Sequence, residues 1–194
     1  MKNHNRQAFT LIELLIVLAI IAIIVAIAIP NLLRGRMAGH EAAAVAACKA
    51  YASAQAIYHR TDYDMDGVLE YSQSVRGNYS LYEITLGSGD LSLVDQAFAN
   101  AEGDPGSATP KEGYVFRALL GQGPTAPGGS RSYVLSGNMT LGFALSAVSA
   151  SYDITGRNTF LIGQEGTVYQ KDRGSTETVH LTVYAPEWDW SVSE

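Results

Sequence analysis

Two acidic features of this 194-residue chain call for a chemical explanation. The first is Glu13, a lone carboxylate inside an otherwise apolar run. A charge at mid-bilayer costs about 2.5–3.5 kcal/mol on insertion scales, and it is usually there because something pairs with it. The second is Asp62-Tyr-Asp64-Met-Asp66-Gly67, with Val68 and Glu70 just beyond. Alternating carboxylates with a turn-making glycine suit a hard cation that gathers many oxygen ligands, namely calcium. Asp62, Asp64, Asp66 and Glu70 would give side-chain oxygens, and Val68 its carbonyl. Counting from Asp62, the twelfth position is Gln73 rather than the bidentate Glu of an EF-hand, and no flanking helix pair is evident. The expectation is therefore a looser calcium loop. Its rival is a solvated acidic turn that closes the preceding helix. Carboxylates at a helix C-terminus face the unfavourable end of the dipole, which tilts the balance slightly toward a cation.

Other residue groupings carry little. Cys48 is the single cysteine, so neither an intrachain disulfide nor a cysteine-based zinc cluster can form. His4, His40, His59 and His180 include no i, i+4 pair and read as surface histidines. Gly121-Gln-Gly123-Pro124-Thr-Ala126 matches a dinucleotide fingerprint by letters, but Pro124 and Pro127 make it a poor helix opener. The sequence has no serine elbow and no Walker loop. No catalytic residue is assigned, and the chain is expected not to be an enzyme. With 13 basic against 19 acidic residues it has no electrostatic footprint for nucleic acid.

The element that must position Glu13 is long. Phe9 to Ile29 is interrupted only by Thr10 and Glu13, and as a helix it would span roughly 31 Å, the thickness of a bilayer core. A buried helix of a soluble protein would show a polar stripe, and Leu14 to Ile29 has none. A cleaved secretory signal is the stronger rival, with Lys2 and Arg6 ahead of the run and Ala26-Ile27-Ala28 as a cleavage site. The length of the apolar stretch and the acid near its start both count against it.

Ala8-Phe9-Thr10-Leu11-Ile12-Glu13, followed by the apolar run and Pro30, resembles the cleavage and methylation motif of type IV prepilins and pseudopilins. The resemblance implies that a prepilin peptidase cuts between Ala8 and Phe9 on the cytoplasmic side and that Phe9 becomes the N-methylated first residue. The residue before the cut is usually Gly, and here it is Ala8. Residues 1–8 would be the leader, 9–30 the transmembrane and assembly helix, and 31–194 an amphipathic helix with a globular head. In a polymer of such helices Glu13 would find the new amino group at Phe9 of a neighbour, so that a costly charge sets the register.

Past Pro30 the pattern turns amphipathic, with Ala44, Cys48, Tyr51 and Tyr58 on one stripe beside Val45 and Ala52. One long helix from about Phe9 to about His59 is expected, loosened at Pro30, Gly35 and Gly39, with Cys48 buried. A short helix is expected over Leu91–Ala101 with Asp90 as N-cap, and a loop over Gly103–Lys111. Strand alphabets follow at 113–120, 132–136, 139–145, 159–162, 167–171 and 178–184, with Gln164-Glu165-Gly166 as a hairpin turn. The fold class is thus α+β: a long N-terminal helix packed on an antiparallel β-sheet head, as in pilins.

Gly113–Gly123, the Pro127–Tyr133 segment and Gly166–Asp172 also resemble a poorly characterised head domain found on prepilin leaders, which implies no known chemistry. Three functions stay open. The first is a subunit of a type IV pilus or pilus-like filament, a homopolymer drawn from the inner membrane into an extracellular fibre. The second is a type II secretion pseudopilin, which uses the same leader, often has a calcium-stabilised head, and works in the periplasm. The third is an anchored ligand-binding or enzymatic head.

Overall fold

An uninterrupted apolar run followed by an alanine-rich stretch gives a single helix, α1 (Leu11–Tyr58), which carries Pro30 inside it. The computed structural model of the chain describes residues 9–86, 89–175 and 179–193. Its contacts divide into two units, the first ending at Arg36 and the second comprising Met37–Glu194.

In the first unit no described side chain is buried. Every large apolar residue from Leu11 to Leu33 is exposed, from 42% at Val25 to 81% at Leu11. This helix is long and apolar enough to cross a membrane. Its start is defined by a capping box. Thr10 Oγ1 accepts the Glu13 N–H at 3.3 Å, while Glu13 Oε2 accepts the Thr10 N–H and O–H at 2.8 Å each.

In the second unit, α1 buries Ala44, Val45, Ala47, Cys48, Tyr51, Ala54, Gln55 and Tyr58 along one face. Its last turn tightens, with Arg60 N–H donating to Ile57 O and Thr61 N–H to Tyr58 O. The remaining elements are β1 (Ile84–Leu86), β2 (Gly89–Leu91), α2 (Gln96–Asn100), β3 (Tyr114–Leu119), β4 (Gly121–Gln122), β5 (Arg131–Ser132), β6 (Val134–Leu135), β7 (Asn138–Met139), β8 (Ala144–Ser149), β9 (Asn158–Gly163), β10 (Val168–Asp172) and β11 (Ser191–Val192). The main sheet runs β11-β10-β9-β8-β3, antiparallel throughout. All six residues of β8 are buried. Tyr51 carries the helix onto the sheet: its ring meets Phe98 and Phe143 edge-on, and its hydroxyl donates to Ala144 O at 3.4 Å. Glu41 adds a polar tie by accepting from Arg157 N–H at 2.8 Å and from the Asn158 amide group.

The expected helix, the buried Cys48, the 103–111 loop and the 164–166 hairpin are all present. Four expectations need correction. Leu91 belongs to β2 and Asp90 pairs with Thr85, so the short helix starts later; Asp95 is its cap, accepting from Phe98 N–H at 2.7 Å. The strand read at 139–145 begins only at Ala144, because Met139 ends the small β6–β7 hairpin instead. The 132–136 segment splits between β5 and β6, which pair with different partners. The 178–184 segment is not a strand among its described residues. Only Tyr184 makes a bridge, to Gln122, and His180 is anchored by side-chain bonds.

Candidate functional site

The residues assigned to assembly lie on α1 and at its start. Phe9 is 86% exposed, and Glu13 sits one turn into the helix, so both face outward. Ala8, on the other side of the expected cut, lies outside the described residues. Among the described residues of the single chain, only Thr10 satisfies Glu13. The T-x-x-E spacing is a capping-box signature, and it was the available signal for Thr10.

The acidic loop leaves the end of α1 as a series of side-chain-to-backbone turns. Asp62 Oδ2 accepts Gly67 N–H at 2.8 Å, Asp62 Oδ1 accepts Asp66 N–H at 3.2 Å, and Asp66 Oδ1 accepts Val68 N–H at 2.8 Å. Met65 and Gly67 both take positive φ, 62° and 85°, which curls the chain round the carboxylates. Tyr63, between Asp62 and Asp64 in sequence and buried, packs at a tilt against Tyr58 with ring centres 4.8 Å apart and fixes the loop to the helix. One oxygen each from Asp62, Asp64 and Asp66 lies within 4.8 Å of the others. Calcium–oxygen distances of about 2.3–2.6 Å place two ligands on one ion up to roughly 5 Å apart, so the three carboxylates fit a shared cation.

The electrostatics follow from that crowding. The Gly67 N–H holds the Asp62 carboxyl below its ordinary range. Desolvation, the Asp62 side chain and neighbouring negative charge push Asp64 above it. Glu70 is drawn elsewhere: its Oε2 accepts Met139 N–H at 3.0 Å, and desolvation raises its carboxyl. The structure thus brings together Asp62, Asp64 and Asp66, ties Val68 in through its amide, and uses Glu70 to hold β7.

Two buried polar groups were not legible as such. Gln55, fully buried on the helix face, donates through Nε2 to Ser72 O at 2.7 Å and to Tyr51 Oη at 2.8 Å, and accepts Ser72 N–H at 2.9 Å. His180, expected at the surface, is buried. Its Nε2 lies 2.9 Å from Gly103 O and its Nδ1 3.2 Å from Ser146 Oγ. A carbonyl only accepts, so Nε2 carries the proton and Nδ1 accepts from the Ser146 hydroxyl. Burial pushes this imidazole down to about 4.

Comparison with known families fits this division of labour. Residues 3–29 match the prokaryotic N-terminal methylation motif. With the exposed apolar helix, that defines the class: a type IV pilin-like precursor, whose apolar helix is consistent with anchoring in the inner membrane before assembly and whose motif is the one that prepilin peptidase and pilus-like machinery act on. Residues 26–192 match a family described as proteins of unknown function (DUF2950), and the chain belongs to that family. No curated protein and no solved structure matches the chain.

Proposed function

We propose that the chain is a structural subunit of a type IV pilus or pilus-like filament, released by cleavage after Ala8, methylated at Phe9, and polymerised through α1. One observation carries this reading. The helix leaves every large apolar side chain between Leu11 and Leu33 uncovered, so it needs lipid before assembly and other copies of itself afterwards. Glu13, held among the described residues only by Thr10, would take the cationic terminus of a neighbour. The head is then structural rather than catalytic.

The test is mass spectrometry of the mature N-terminal peptide together with electron microscopy of material sheared from cells. Fibres whose subunits begin at methylated Phe9 are expected. Glu13→Ala should leave insertion in the membrane intact and stop or slow fibre growth; abundant normal fibres from that variant would count heavily against the reading.

The acidic loop is proposed to take calcium, with Asp62, Asp64 and Asp66 as its nucleus. This feature also favours a second reading, a type II secretion pseudopilin, which would share the processing and the helix. Long fibres shed from cells point to a pilus, and a short assembly retained in the envelope points to the pseudopilin.

A further inference from the structure

Among the described residues of the head, Trp188 is the most exposed large apolar side chain, at 95%. It is not a loose end. Pro186 precedes it, Trp190 N–H closes the turn onto Glu187 O at 3.0 Å, and Lys171 holds Asp189 at 2.6 Å. Trp190 packs against the core, and β11 then joins the sheet. The chain therefore presents an indole and a carboxylate, Glu187 and Trp188, on a fixed beak. Among the described residues the Glu187 side chain has no hydrogen bond or ion pair.

The same head has an open groove of about 610 Å³ lined by Leu120, Pro124, Thr182 and Val183, with Arg131 as its one charged residue. Leu120 and Val183 are 44% and 38% exposed. Among the described residues the Arg131 guanidinium has no hydrogen bond or ion pair. The groove is within the roughly 300–1,000 Å³ of sites that accept drug-sized ligands, ample for an indole.

We infer that the Glu187–Trp188 beak of one subunit docks in the Leu120–Val183 groove of the next, the indole against its apolar wall and the Glu187 carboxylate on Arg131. This rests on the filament reading above. The occupant is a second copy because the charges match: the chain is acidic overall, at −6, so two heads repel except where a free acid meets a free base. Trp and Arg are also the residues that most often dominate interfaces. A beak entering a different surface on its neighbour is a heterologous contact, the kind that repeats into an open polymer when it does not close into a ring. The contact is small, and it gains its strength from copies already held side by side by α1.

The experiment places cysteines at both positions, Arg131→Cys with Glu187→Cys, in the full-length chain in producing cells. Cys48 is 0% exposed and adds no background. A short bis-maleimide, which bridges the gap that two ion-paired side chains leave where Cα atoms more than about 7 Å apart could not form a direct disulfide, should give a ladder of cross-linked subunits from sheared fibres of the double variant and none from either single variant. Trp188→Ala, Arg131→Glu and Glu187→Arg should each lower fibre recovery several-fold, and Arg131→Glu with Glu187→Arg should restore it. These side chains are exposed, and an unchanged Tm confirms that each head still folds. Wild-type fibres without a ladder from the double variant overturn the contact and leave the filament reading standing. So does a purely intrachain cross-link, a dimer from one single variant, or normal fibre yield from Trp188→Ala. A Trp188→Ala defect confined to binding lipid vesicles, without a ladder, assigns the beak to a membrane surface and also overturns it. If the wild type forms no fibres, the filament reading fails by itself. Cross-linked dimers in the membrane fraction then support the contact, and their absence overturns it.

Discussion

Gln55 shows what one polar residue does in an apolar seam. Its amide uses both ends, returning the N–H and C=O of Ser72 that would otherwise be stranded against α1. Gln55→Leu keeps the volume but leaves both groups unpaired, at about 1–3 kcal/mol each. Thermal unfolding of the detergent-solubilised chain should show a large loss, whereas Lys49→Ala on the exposed face should change little. His180 gives a pH signature. Its imidazole titrates near 4 in the fold and near 6.5 unfolded, so between those values only the unfolded chain takes up the proton. Stability from this group is full above pH 6.5 and declines as pH falls toward 4, by about 3 kcal/mol in all. Replacement by Gln should flatten the Tm-against-pH slope in that window, and an unchanged slope would assign the acid sensitivity to other groups. Nothing local in the sequence marks His180 as interior, because its partners come from positions 103 and 146.

At the scale of elements, the acidic loop and the β8–β9 connection are the two places where small changes should be felt. If calcium holds Asp62, Asp64 and Asp66, EGTA should lower the Tm of the head's unfolding by several degrees and calcium should restore it. No shift with chelator, together with no metal by elemental analysis, would dispose of the ion. In the β8–β9 connection, a Cβ at Gly156 would stand 2.1 Å from Tyr114 Oη, and that hydroxyl is fixed to Asn158 O at 3.0 Å. Gly156→Ala should therefore cost about 1–3 kcal/mol through overpacking. Gly39→Ala, with open space around it on α1, should be neutral or slightly stabilising. The same comparison of neighbours explains which elements were legible. The α1 stripe and the β9–β10 hairpin are written in adjacent residues, with Gly166 supplying the positive φ of the turn. The start of β8 and the fate of 179–184 depend on partners far away in the chain, and an alternating apolar pattern alone placed both as strands.

For the whole molecule, the two units ask for different surroundings. The head closes around Tyr51, Phe98, Phe116 and Phe160, all essentially inaccessible. The described part of the first unit has no interior of its own. That contrast was readable from the change of pattern past Pro30, and so was the processing motif. The groove and the beak were not, since their residues lie far apart in sequence and acquire meaning only once folded.

The burial of Cys48 bears on how such a fibre would age outside the cell. Its thiol is sealed against the sheet and pushed up to about 12, so it has almost no thiolate with which to react. Reductants would find no bridge to cut and mild oxidants no sulfur to couple. Cohesion would then be governed by grease, charge and hydrogen bonding, the same under oxidising and reducing conditions.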